Sequence, residues 1–313
     1  MIYILNKQLS KLFLLLILLS IFSCRELVQD DFPDFKSIPT VNSILIEGKP
    51  ISVLVTRSEK LDSFSLSSIN DAEIELFVDG KITQKTGSSG EGIYTSSIVA
   101  EPIKEYKFKV IIPDFDTIVC SQSLPAPTPI LKIEHFNIAG RDQEGTTYPA
   151  VKLTFKNDKS VQRYYEVSIR FFVKHHSWSD EEEYLESRSV QIPAITDPVL
   201  LNEGLLIMLF SNELIQDSVC TITLNYSTGQ SSSSGGSYRT SLFPFVVELR
   251  SVTYDYYRYK KQFYLYNQGR WADGLTNTTP PSPLYSNIEN GYGIFAGYAV
   301  FTSDTITPEP YEN

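Results

Sequence analysis

The stretch AEIELFVDGKITQKT, residues 72–86, reads as a β-hairpin: strands over 72–78 and 81–86 reverse about the dipeptide Asp79-Gly80. Asp-Gly between two strand-like runs tolerates positive φ at both central positions, which matches the twist of paired strands. Working outward, residues 43–47 and 51–56 flank Gly48-Lys49-Pro50, and residues 92–94, 106–112 and 117–122 supply further short strands. Tyr106, Phe108 and Val110 fall on one face by the period of two. Seven or so strands in about 85 residues predict an immunoglobulin-like β-sandwich over 41–125.

Residues 124–129, LPAPTP, carry three prolines. Such a run cannot sit inside a sheet, so a domain boundary is expected there, with a second β-rich domain over 126–313. Its strands are expected at 150–155, 164–174, 185–192, 205–210 and 219–226, and the serine- and glycine-rich run 229–236 as a mobile loop. One segment departs from the β pattern. Leu249, Val252, Tyr256, Tyr259, Phe263 and Tyr266 recur every three or four residues, which predicts a helix near 249–268, stopped by Gly269. Tyr254, Tyr257 and Tyr264 lie off that stripe, so strands are expected on two sides of the helix. An aromatic stripe at helical spacing is read as core in preference to a stacking platform for sugars. The fold class is therefore mostly β: an N-terminal immunoglobulin-like sandwich, then a second β-rich domain containing one aromatic helix.

The N-terminus carries a different signal. Lys7 and Lys11, with no acid among residues 1–23, precede an apolar run over 12–19 and then Ser20, Ile21, Phe22, Ser23 and Cys24. This order is that of a secretory signal, too short to remain as a membrane span. Ile21 three residues before a cysteine and Ser23 directly before it resemble a lipobox, with Phe22 bulkier than the usual second residue. The expectation is a signal peptide over 1–23, lipidation at Cys24 and a polar, acidic tether over 24–40. A diacylglyceryl group supplies at least two acyl chains, enough for stable attachment. Arg25 follows the cysteine, so an aspartate for inner-membrane retention is missing, and Asp30, Asp31 and Asp34 stand close behind; the outer membrane is favoured, either face being open.

After cleavage 25 basic residues face 37 acidic ones, about −12 in formal charge, which disfavours nucleic acid and anionic lipid surfaces as partners. The 19 Tyr and 18 Phe favour strands over helical bundles. Cys120 and Cys220 would sit on apolar strand faces; an oxidising compartment permits a disulfide between them, but buried thiols in different domains is the preferred reading. No catalytic constellation is visible. His135, His175 and His176 are the only histidines, and the adjacent pair would point to opposite faces of a strand, which prevents joint chelation, so no metal or other cofactor is expected. No Gly-x-Ser-x-Gly elbow, His-Glu-x-x-His or Gly-x-x-x-x-Gly-Lys run occurs. Scattered carboxylates could be paired anywhere among 37 acids and discriminate nothing.

Residues 284–300 contain an Asn-Ile-x-Asn-Gly-x-Gly-x-Phe-x-Gly pattern from Asn287 to Gly297. Together with the aromatic segment 254–259, Arg163-Tyr164-Tyr165, and residues 44–48, 53–58 and 71–80, it resembles the Bacteroidetes-type envelope lipoproteins grouped as domain of unknown function 4249. The likeness covers nearly the whole mature chain. It implies a setting and no reaction, since such lipoproteins are often encoded beside TonB-dependent outer-membrane receptors. The expected function is that of a non-catalytic outer-membrane lipoprotein, a binding or accessory partner of such a nutrient receptor; the alternatives are a structural or adhesive envelope lipoprotein and, ranked last, an envelope hydrolase. Asn290-Gly291 suits a tight turn, and Gly293 and Gly297 suit close backbone packing. If the loop instead meets a ligand, Asn287, Glu289 and Asn290 are its polar candidates.

Overall fold

The computed structural model describes residues 35–60, 67–141, 145, 147–176, 183–228, 232–234, 237–240, 242–271, 284–309 and 311–312. The expected signal peptide over 1–23, Cys24, most of the expected tether, Trp178 with the neighbouring acids 180–182, and residues 229–231, 235 and 236 of the serine-glycine run lie outside them.

The first eight strands are β1 (Pro39–Ile46), β2 (Pro50–Arg57), β3 (Ser67–Ser68), β4 (Glu73–Val78), β5 (Lys81–Thr86), β6 (Ile93–Val99), β7 (Glu105–Ile111) and β8 (Ile118–Ser123). Next come β9 (Ile130–Arg141), β10 (Thr147–Lys156), β11 (Tyr164–His176), β12 (Glu183–Ser189), the short helix α1 (Pro198–Leu201), β13 (Leu209–Ser211) and β14 (Val219–Asn225). The last elements are β15 (Ser232–Ser234), β16 (Ser237–Thr240), β17 (Phe245–Val252), helix α2 (Tyr254–Trp271), β18 (Tyr292–Thr302) and β19 (Tyr311–Glu312). The chain is mostly β, as the sequence predicts. The hairpin forms as read, β4 pairing antiparallel with β5 around Asp79 (φ 48°) and Gly80 (φ 77°), both in the left-handed region that the Asp-Gly turn requires.

One sheet organises the molecule, in the order β12-β11-β17-β18-β1-β2-β3, with β13 also on β11 and β6 on β2. Its central joint is a parallel pairing of β1 with β18, Thr40 opposite Tyr292 through Ile46 opposite Tyr298. Two smaller sheets lie against one face of it. The sheet β5-β4-β7-β8 closes a first core containing Val41, Val53, Leu76, Phe108, Cys120 and Phe295. The sheet β14-β10-β9 closes a second core containing Leu153, Phe155, Tyr165, Cys220, Val247 and Leu249. Alternation sets the opposite face: Ile294 and Ala296 on β18 and Val252 on β17 turn away from those cores and pack with Tyr256 of α2.

This arrangement corrects the expected division of the chain. Residues 37–313 form a single compact unit, and strands from both sides of residues 124–129 share its main sheet. The first core is completed by Ile288 and Phe295 from the C-terminal part, the Phe295 ring meeting Phe108 at 4.7 Å. The proline run passes over the sheet as a strap: Thr128 is buried and its hydroxyl lies 2.9 Å from that of Ser251 on β17.

The helix also begins later than the periodicity suggests. Leu249 and Val252 belong to β17, a strand buried almost throughout, whose apolar residues fit a helical stripe by coincidence. Thr253 makes the turn from strand to helix: its hydroxyl receives the Tyr256 and Gly297 amide protons at 3.3 and 3.2 Å, and its carbonyl that of Tyr257 at 3.0 Å. Gly269 does not stop the helix, which continues to Trp271. Strands β9 and β17, like β18, were not legible as strands.

Cys120 and Cys220 are unbridged, each buried in a different core. Burial pushes both thiols up to about 12, with the neighbouring Asp197 and Asp217 adding to the effect at Cys220. Thiol alkylation at neutral pH is therefore expected to leave both residues unmodified in the native protein and to modify both in urea; rapid modification of either in the folded state would contradict the packing.

Candidate functional site

Alternation along β11 turns Tyr164 and Glu166 toward α2, while Tyr165 and Val167 enter the second core. Register places Arg250 of β17 directly opposite Glu166. Glu166 Oε2 accepts from Arg250 Nη1 at 2.8 Å and from the Tyr256 hydroxyl at 2.8 Å, and Lys260 Nζ lies 3.2 Å from Oε1. The other Arg250 nitrogen, Nη2, donates to Glu248 at 2.7 Å, and Glu248 also pairs with Arg170. The guanidinium of Arg250 stands 4.9 Å from the ring of Tyr298. Burial alone would raise the Glu166 pKa, but the charges of Lys260 and Arg250 and the hydrogen bond from Tyr256 outweigh it and hold the group below the ordinary 4.5. The Tyr256 phenol is driven far up, first by burial and then by the Glu166 charge.

Beside this ladder the sheet edge is notched. On the side of β11 away from β17, β13 pairs with residues 164–166 and β12 with residues 170–176, leaving 167–169 between them. A cavity of about 330 Å³ opens at the notch, with Glu166, Val167, Ser168 and Ile169 as its floor. Lys260, Phe263, Tyr264 and Asn267 of α2 form one wall, a set spaced i, i+3, i+4, i+7 and hence on one helix face. Val190, Ile192, Ile207 and Met208 form the other. A concave, largely apolar site with a few placed polar groups is the usual form of a small-molecule site, and this volume is at the small end of that class.

The helix is pinned over the cavity by two further polar clusters. Glu203, in the loop after α1, accepts from the Ser211 amide at 2.8 Å, from Lys261 Nζ at 2.8 Å and from the Tyr257 hydroxyl. At the other end Asp255 accepts from Gln122 Nε2 at 2.7 Å and from the Tyr285 hydroxyl, while Arg258 stacks 4.5 Å from the Tyr285 ring. The aromatic stripe thus divides: Tyr256 is core, whereas Phe263 is 40% exposed and stacks on Tyr259 at 5.8 Å.

Chemically the arrangement holds charge and does not release it. Glu166, the carboxylate at the floor, is kept ionised and accepts hydrogen bonds from two side chains, which makes it a weak base and a fixed anion. Among the described residues no group of three His, Cys, Asp or Glu side chains is placed to hold a metal ion. His135 bonds the Tyr226 hydroxyl at 2.9 Å; the side chains of His175 and His176 lie outside the described residues.

Two of the three loop residues singled out by sequence bond to backbone within the fold. Asn287 acts as a strand partner for Phe295, donating to its carbonyl at 2.7 Å and accepting its amide at 2.8 Å. Asn290 adopts φ 62° and donates to the Thr117 carbonyl at 3.1 Å; Glu289 is exposed. Asn290, and not Gly291, carries the left-handed conformation of the turn. None of the three lines the cavity, and the residues that do so had no local sequence signal beyond the helical period of α2.

A family model described as domain of unknown function (DUF4249) matches residues 25–304. No curated protein and no solved structure matches the chain.

Proposed function

We propose that this chain, which belongs to the DUF4249 family, is a non-catalytic, lipid-anchored binding lipoprotein of the outer membrane, accessory to a TonB-dependent nutrient receptor. The observation that carries the binding half of this reading is the cavity under α2: an apolar hollow whose floor carboxylate, Glu166, is held by Arg250, Tyr256 and Lys260 and so recognises without reacting. The anchor half is supported by Lys7, Lys11, the apolar run 12–19 and the lipobox-like residues ending at Cys24. The receptor is suggested by the setting in which lipoproteins resembling this chain are encoded.

The test is purification of the tagged full-length protein from outer membranes, with and without the substitution Cys24→Ala. Wild type is expected to incorporate labelled fatty acid and to bring a TonB-dependent receptor with it; C24A is expected to lose the label entirely and to leave the membrane fraction. Label that persists in C24A overturns the anchor. Wild type that never co-purifies with a receptor, yet hydrolyses a glycan or peptide, overturns the binding role in favour of an enzyme.

A further inference from the structure

The wall of the cavity under α2 is largely apolar, with Val167, Ile169, Val190, Ile192, Ile207 and Met208 among its lining residues. Among the described residues, Glu166 and Lys260 are the charged side chains that line it. They end a ladder that runs from Arg170 through Glu248, Arg250 and Glu166 to Lys260, each member paired with the next. Three cations alternate with two anions along it, so the ladder keeps one positive charge.

Geometry decides where that charge is felt. Glu248 has Arg170 on Oε1 and Arg250 on Oε2, and Glu166 has Lys260 on Oε1 and Arg250 on Oε2. Each carboxylate is therefore matched on both oxygens. Arg250 is divided between the two acids, whereas the end cations, Arg170 and Lys260, each meet one carboxylate among the described residues, and of these two it is Lys260 that lines the cavity. Its Nζ lies 3.2 Å from Glu166 and 5.6 Å over the Tyr256 ring, and its side chain is 40% exposed. An ammonium has three N–H donors, so Lys260 keeps capacity for a further acceptor.

These facts select among ligands. A cation would meet Lys260 like to like, and the acid that could attract it already has a cation on each oxygen. A peptide strand laid into the notch would find backbone groups engaged, since the Val167 amide donates to the Met208 carbonyl at 2.8 Å and the Ile169 carbonyl accepts from the Val190 amide at 3.2 Å. An anion with an apolar tail matches both the surplus charge and the wall. The volume, about 330 Å³, is that of roughly ten waters at about 30 Å³ each, which suits a chain of several carbons.

We infer that the cavity under α2 takes a small amphiphilic carboxylate, its charged end on Lys260 and its tail against Ile207, Met208 and the neighbouring apolar wall. This inference rests on the reading of that cavity as a binding site and adds the class of ligand.

Full-length protein in mild detergent would be titrated with sodium hexanoate and its melting temperature followed. The comparisons are sodium acetate at equal ionic strength, which has the head without the tail, neutral hexanamide, and hexylammonium chloride. Hexanoate is expected to bind at least tenfold more tightly than acetate, because each methylene moved from water onto an apolar wall adds about fourfold. It should also bind more tightly than hexanamide and hexylammonium. Lys260→Met should weaken hexanoate at least tenfold and leave hexanamide unchanged, while Lys260→Arg should retain most of the hexanoate affinity. Ile192→Trp, which fills the cavity from the wall facing α2, should abolish the response to hexanoate and hexanamide alike, and serves if K260M does not fold. Partition of the probes into micelles is common to wild type and variants, so the differences between proteins read the site. Hexanoate no tighter than hexylammonium, or unchanged in K260M, with the responses lost in I192W, overturns the carboxylate and leaves the cavity a binding site. Responses that I192W leaves intact, or no response to any probe, overturn the inference together with the cavity as a binding site.

Discussion

Replacing Gly293 by alanine is expected to lower stability by on the order of 3 kcal/mol or more, seen as a melting temperature reduced by roughly 6–12 °C. Gly293 sits opposite Val41 in the parallel joint of β1 and β18, at φ 118°. A Cβ there would lie 2.0 Å from the Val41 carbonyl oxygen and 2.7 Å from its carbonyl carbon, and because these are backbone atoms of the paired strand no flexible side chain can give way. The two strands must separate or twist, and they are the pair that joins the N-terminal strands to the rest of the main sheet. Gly48→Ala is the matched control: its φ is 74° but no atom lies within 4 Å of the new Cβ, so only backbone strain of about 1 kcal/mol is expected. If G293A melts within a degree or two of G48A, the close approach of β1 and β18 is not as described.

Arg250→Met is the second large effect. The methionine fills similar space but leaves Glu248 and Glu166, whose side chains are 9% and 13% exposed, short of a shared cation. Breaking a buried pair in this way costs about 3–5 kcal/mol at neutral pH. Arg170 still neutralises Glu248 and Lys260 still faces Glu166, which places the expected value at the lower end. The pH dependence follows from Glu166. Its folded pKa is depressed, so its pairing adds stability that is present above the unfolded value, near 4.5, and is lost as pH falls through the folded value. Without Arg250 two of the interactions that lower the Glu166 pKa are gone, Glu166 protonates more readily, and the penalty of the unpaired charge shrinks on acidification. Urea unfolding should thus show a wide gap between R250M and wild type at pH 7 and a narrower one at pH 4. An equal gap at both pH values would mean that the loss is one of packing and not of charge.

The local chemistry of the chain was open to reading in one dimension. Asp79-Gly80 makes its hairpin from its own φ preferences, Tyr106, Phe108 and Val110 share a buried face because strands alternate, and the tyrosine-rich segment forms α2 with Tyr256 inward because helices repeat every 3.6 residues. The motif from Asn287 to Gly297 was also visible, and its turn and close-packed glycines were legible from residue type alone. Periodicity says which side of a strand is buried, but not which strand lies beside it. The pairing of β1 with β18, some 250 residues apart, therefore left no trace in the pattern, and a proline strap lying across a shared sheet looked like a linker between domains. For the same reason Glu166 and Arg250 were two charged residues among many until register set them opposite each other, and the cavity beside them exists only because β12 and β13 meet the same edge of β11 and leave a gap. Residue type and spacing determine what each segment becomes; long-range pairing, which depends on how separate segments bury each other's apolar faces, decides where the polar side chains converge.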